Sequence, residues 1–323
     1  MRITVYLRTL LISFFVSFSF LISAQERNDV IRAYNEGAKT IQTDVPAAIK
    51  AFEEAIAIAE KVGEPANDLK EKVKNILPGL YVRVALSSLN DKKPAAETAA
   101  AARNALKVAE KYENKTAQGN AIKILVQAYN AMTIDYFNKK DYENALKTTD
   151  SLLALDPGYL TAINNRALIY RAQGNSDAFE QAVDMLINKS RAANDTARAR
   201  QASVMALEYF RAAGSQAIQA NRLDEALASL NKSSKYGEDK DLFYYFADAY
   251  NRKKDFDKGE EYARKGLALE TGSPEAKAKF FFQLAEAQFG KGKTAEACES
   301  YKNAMYGAFA AAAKAQRTNL KCQ

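Results

Sequence analysis

The 323-residue chain contains no histidine, no tryptophan, two cysteines, 14 glycines and six prolines. Each shortage excludes something. Without histidine there is no Ser-His-Asp or Cys-His nucleophile pair and no imidazole metal ligand. Cys298 and Cys322 alone cannot build a zinc site of the CxxC…CxxC kind. Glycine and proline fall at roughly 4% and 2%, below the usual ~7% and ~5%, so chain breakers are few. The missing tryptophan removes the ring best suited to stack on a sugar.

What is present favours helices. Alanine occurs 59 times, and its high helix propensity and small side chain point to helices packed closely. From Gln25 onward apolar residues recur at spacings of three and four, and little reads as a strand. Pro157, Pro274, Gly174 and Gly237 mark clear stops.

The first 24 residues stand apart. Arg2 and Arg8 precede an apolar run, Leu10–Ile22, broken only by serine, and Ala24 precedes Gln25, Glu26 and Arg27. This is the layout of a secretory signal peptide, with cleavage expected after Ala24. An uncleaved anchor is the alternative, but the run is shorter than the ~20 residues a spanning helix needs. No cysteine lies near residue 25, which excludes acylation as a bacterial lipoprotein. Cleavage removes Arg2 and Arg8 and no acid, so the formal charge falls from +7 to +5. No basic stripe interleaved with aromatics appears, and nucleic acid is not an expected partner. The expected location is periplasmic or associated with the cell envelope.

Self-similarity has a period near 34. One register reads Tyr129, Met132, Thr133 and Tyr136, then Ala145, Thr149, Leu152 and Pro157. It returns as Ile163, Arg166, Ala167 and Tyr170, as Phe210, Ala213, Gly214 and Ala217, as Phe243, Phe246, Ala247 and Tyr250, and as Phe281, Leu284, Ala285 and Gln288. The small residues at 133, 167, 214, 247 and 285 are 34, 47, 33 and 38 apart. The turns agree, because Asn138–Tyr142 and Arg252–Phe256 share one pattern at the same place in the repeat.

These residues resemble the tetratricopeptide-repeat (TPR) family, whose helix A reads large–x–x–large–small–x–x–aromatic and whose helix B ends towards a proline. The resemblance covers residues 126–306 with at least five units and implies an all-α fold. That fold is a right-handed α-solenoid of about seven antiparallel helix pairs plus a C-terminal cap helix. The segments are then 1–24, signal peptide; 25–115, degenerate TPR-like pairs; 116–306, the TPR array; and 307–323, the capping helix. A generic Ala-rich bundle is the competing fold, and a register kept over five units argues against it. Within the first segment, Pro78-Gly79 is expected to interrupt a helix, and Asn90–Pro94 to form a turn. The Ala95–Ala109 stretch is small on several faces and is expected to be buried between neighbours.

The concave face of helix A residues is where such arrays usually bind. Here it offers Asn130, Phe137, Asn164, Arg171, Arg211, Tyr244, Asn251, Lys279 and Phe282, with Ile134, Ile218, Asp248, Glu286 and Phe289 at equivalent positions. Asn and Arg suit a peptide backbone or carboxylate, and aromatics suit side chains. The family's carboxylate clamp is only partly matched, since its leading lysine is missing.

Other motifs reduce to structure. Gly292-Lys293-Thr294 resembles the end of a phosphate loop, but Ala287 stands where the first glycine should be and no strand precedes it. Adjacent acids Glu53-Glu54 and Glu260-Glu261 point about 100° apart on a helix and do not face each other. Cys298 and Cys322 are equidistant from residue 310, where a helical hairpin is expected to turn. They can therefore meet in a disulfide in an oxidising compartment, or remain two thiols. No cofactor, metal or catalytic constellation is indicated. The chemistry expected is that of an exported scaffold that binds a protein or extended peptide, with a surface glycan-binding protein as the alternative and a carboxylate-pair enzyme as a third class.

Overall fold

A computed structural model describes residues 25–323, and the expected signal peptide lies outside the described residues. The described residues form fifteen α-helices and no strand, in two compact units that divide between Gln173 and Gly174. The first unit holds α1 (25–40), α2 (Val45–Val62), α3 (Asn67–Asn90), α4 (Ala95–Lys111), α5 (Lys115–Asn138), α6 (Tyr142–Leu155) and α7 (Leu160–Gln173). The second holds α8 (Ser176–Ala192), α9 (Thr196–Gln219), α10 (Leu223–Ser234), α11 (Lys240–Arg252), α12 (Phe256–Leu269), α13 (Pro274–Gly290), α14 (Thr294–Asn303) and α15 (Ala310–Asn319).

Within each unit consecutive helices pack as hairpins, and alternate helices also touch: α3 with α5 and α5 with α7, then α9 with α11 and α11 with α13. This contact of every second helix is what distinguishes a solenoid from a bundle. Each unit is therefore an all-α array of TPR-like hairpins.

One turn design closes seven of these hairpins. In the α5–α6 turn, Lys140 donates its N–H to Phe137 O at 2.9 Å, and Asp141 donates to Tyr136 O at 2.9 Å. Lys140 sits at φ 59°. These are the two bonds of a Schellman C-cap, which satisfy carbonyls the helix end would otherwise leave orphaned. The next residue then opens the following helix, Asp141 Oδ1 accepting Asn144 N–H at 3.2 Å. The same left-handed residue stands at Lys92, Glu113, Asn194, Asn221, Lys254 and Gly292. Gly292-Lys293 is thus the α13–α14 turn, with Lys293 N–H bonded to Gln288 O at 2.9 Å.

Close approach of the axes depends on the small residues. Thr133, Ala167, Gly214, Ala247 and Ala285 are all buried. A Cβ added to Gly214 would lie 2.5 Å from Leu230 Cδ2, and one added to Gly266 would overlap the Phe280 ring. Helix α4 shows how the alanines divide. Ala99, Ala102, Ala105 and Ala109 form one buried stripe against α3 and α5, whereas Ala96 and Ala100 are exposed. The stretch is thus buried between its neighbours α3 and α5 along one stripe, as expected.

One expectation is corrected. Helix α3 runs unbroken through Pro78 and Gly79. Proline lacks one ladder donor there, but Val73, Leu77, Pro78 and Leu80 are all buried, so packing holds the turns on either side. The 47-residue spacing before Gly214 comes from two long helices, α8 and α9, parted by a turn at 193–195. The turn at 91–94 and the C-terminal helix stand where the sequence places them.

An ion-pair cluster joins α8 to α10 and the residues after it. The Glu180 carboxylate, only 15% exposed, accepts from Lys232 at 2.9 Å and is also paired with Lys235. Burial works to raise its pKa, but the Lys235 and Lys232 ammoniums outweigh it and hold the carboxyl below its ordinary 4.5. A carboxylate held below its unfolded value adds stability above that value and loses it as pH falls through the folded value. Acidification below about pH 4.5 is therefore expected to lower the melting temperature of the wild type more than that of Glu180→Gln. Thermal circular dichroism at a series of pH values checks this, and parallel curves would contradict it.

Candidate functional site

The sequence-derived face falls on both units, and its residues differ in how far they are free. In the first unit, Asn130 on α5 donates to the Tyr159 hydroxyl at 2.7 Å. Phe137 packs on Tyr142 at 5.9 Å within the same hairpin. Asn164 is half-buried and Arg171 is exposed on α7. Ile134, 56% exposed, is the large apolar group left open on that face of α5.

In the second unit α11 and α13 lie side by side. Asp239 caps α11 by accepting Leu242 N–H at 2.7 Å, and Arg211 from α9 pairs with the same carboxylate. Lys279 reaches from α13 to Asp241 at 2.5 Å and lies over the Tyr244 ring at 5.4 Å. Burial works to raise the Asp241 pKa, but the Lys279 ammonium overcomes it and holds the carboxyl low. Asn251 is buried and donates to both Gln283 O, at 2.8 Å, and Gln283 Oε1, at 2.9 Å. Arg211, Lys279 and Asn251 thus join neighbouring repeats, each spent on a partner in the next one. Ile218 is likewise buried in the core and faces no groove.

Between α11 and α13 opens a cleft of about 250 Å³ lined by Asp248, Asn251, Arg252, Phe256, Phe282, Gln283 and Glu286. Arg252 bonds Asp248 at 2.8 Å, one helical turn away. The Tyr301 hydroxyl donates to Glu286, and burial followed by that carboxylate pushes the phenol pKa up. Arg252, Phe256, Gln283 and Tyr301 were not among the residues read from the sequence as facing the groove. The Asp248–Arg252 spacing of four was the available signal for one of them.

Several kinds of side chain meet in this cleft. It offers paired charges, an amide pair and half-buried rings. Outside the cleft, burial works to raise the Glu180, Asp241 and Glu260 carboxyls, and neighbouring cations hold all three below their ordinary values. Glu260 pairs with Arg264 and Lys291 while Glu261 pairs with Lys265, so the adjacent acids diverge. Among the described residues no group of three metal-ligating side chains occurs. No described helix is long and apolar enough to cross a membrane.

Hairpins closed on small residues, with alternate helices in contact, define a TPR-like helical-repeat protein. Its similarity to solved TPR structures is low in identity. A tetratricopeptide repeat protein from Parabacteroides merdae is 17% identical, with 91% of this chain and 99% of that chain covered and a TM-score of 0.28. A thermophilic TPR protein in Thermus thermophilus is 18% identical, with 76% and 100% covered and a TM-score of 0.27. PilW, a type IV pilus biogenesis factor, is 17% identical, with 62% and 95% covered and a TM-score of 0.28. No family model and no curated protein matches the sequence. These similarities assign no role to any residue here.

Proposed function

We propose that this is an exported, non-catalytic scaffold that binds another protein, or an extended segment of one, in the periplasm or cell envelope. The observation that carries the reading is the α11–α13 cleft, where Phe282 and the charged groups Asp248, Arg252 and Glu286 line an opening about 250 Å³ in volume. Such a mixture of ring surface and orientable charge suits a peptide, whose side chains and backbone need both. The amino-terminal Arg2, Arg8 and apolar run support export. The glycan alternative rests on Tyr244 and Tyr250. Tyr250 stacks on Tyr262 at 5.6 Å, which leaves less ring face for a sugar.

Phe289, 45% exposed on α13, is the place for a photo-crosslinking phenylalanine analogue. Irradiation of intact envelopes is expected to yield one discrete adduct, lost in Arg252→Ala/Glu286→Ala. No adduct, or one indifferent to those substitutions, would sink the proposal.

A further inference from the structure

The chain covers part of its own groove. Between α14 and α15 the segment 305–309 crosses the α11–α13 face, and Phe309 inserts its ring against Tyr244 and Phe282. The centroids are 6.5 Å apart, edge-on, for Tyr244 and 5.4 Å apart for Phe282. Lys279 lies over the same Tyr244 ring at 5.4 Å and over Phe280 at 5.0 Å. Gly307 lies near Glu275 at the start of α13, and Phe282 is shared by this seat and the polar cleft.

The segment is lightly held. Met305 and Tyr306 are 39% and 43% exposed. Among the described residues its backbone bonds stay local, Met305 N–H to Lys302 O, Tyr306 N–H to Ala304 O and Phe309 N–H to Tyr306 O. None reaches α11 or α13. What keeps Phe309 in place is ring packing and a tether: α15 follows directly, and Cys322 beyond it is bonded to Cys298 of α14. Arg317 reinforces the tether by donating to the Cys298 carbonyl.

We propose that the seat formed by Tyr244, Phe282 and Lys279 is the groove's subsite for an aromatic side chain of an extended peptide. Phe309 occupies it in cis as a competitor held by the Cys298–Cys322 bridge. The inference rests on the scaffold reading and specifies its partner: a segment with an exposed aromatic residue, whose ring takes the place Phe309 now fills. Edge and tilted ring contacts supply the preference for an aromatic side chain over an aliphatic one. A tethered competitor lowers apparent affinity by the fraction of time the seat is open.

The test uses the full chain and a peptide of residues 306–311 carrying 4-fluorophenylalanine at the Phe309 position. Binding is read from fluorine line broadening. Phe309→Ala is expected to bind the peptide at least about tenfold more tightly than wild type. Phe282→Ala/Phe309→Ala is expected to lose that gain. Cys298→Ser/Cys322→Ser, which leaves every seat residue in place, is expected to bind more tightly than wild type and less tightly than Phe309→Ala. Equal binding by wild type and Phe309→Ala overturns the proposal. So does no binding by Phe309→Ala, gain retained without Phe282, or no gain on removing the bridge. Crosslinking at Phe289 reads the scaffold assignment separately: an adduct that persists while the peptide fails to bind rejects the seat alone.

Discussion

Phe280→Ala is expected to destabilise the second unit by about 3–5 kcal/mol, the range for deleting a buried phenylalanine from a core that cannot collapse. Phe280 is fully buried on α13, and its ring lies where a side chain at Gly266 on α12 would have to be. The two positions form one joint, ring against bare backbone. Gly266→Ala alone is expected to cost about 1–3 kcal/mol through overpacking. The double variant Phe280→Leu/Gly266→Ala is expected to cost clearly less than the sum of its single changes, because the smaller side chain makes room for the added methyl. Urea unfolding followed by circular dichroism gives these values, with Phe280→Leu alone completing the cycle. Additivity within about 0.5 kcal/mol would mean the two sites do not share a contact in solution.

Removing the disulfide has the second large effect. Cys298 and Cys322 are separated by 24 residues, with Cα atoms 5.6 Å apart. Loop-closure entropy gives about 3.5 kcal/mol for a cross-link of that length. In a repeat array the loss should be felt first by the terminal elements. Cys298→Ser/Cys322→Ser is thus expected to raise amide exchange in α14 and α15 by orders of magnitude, with α9 and α10 little changed. Dithiothreitol should reproduce the effect in wild type and do nothing to the double variant. Unchanged exchange in α15 would show that packing around Ala313 and Tyr301 suffices to hold the cap.

The architecture was readable because its cause is local and repeated. Thr133, Ala167, Gly214, Ala247 and Ala285 recur where axes cross, and their burial is the requirement that spaced them. Pro78 misled, since a break signal of a few kcal/mol was outweighed by the core contacts of Leu77 and Leu80. At the site, periodicity identified which residues share a face but not which were spent. Arg211 is matched by Asp239, Lys279 by Asp241 and Asn251 by Gln283, at separations of 28, 38 and 32 residues. These are distances of about one repeat, so a search for complementary partners one period away would have found them. Nothing periodic announced Phe309, which follows the last hairpin and belongs to no repeat.

The hairpin turns carry a consequence for how this molecule can change. Lys92, Glu113, Lys140, Asn194, Asn221 and Lys254 all have φ between 53° and 64°. Glycine holds that conformation without the Cβ penalty, roughly 1 kcal/mol, that four of these six bear most fully, asparagine being the better tolerated exception. Each turn is thus a small independent adjustment of heat tolerance. All six side chains are exposed, so changes there leave the buried core side chains as they are. A lineage moving to a hotter or colder habitat can retune its working temperature at the turns of the array, one side chain at a time, and keep the same packed core.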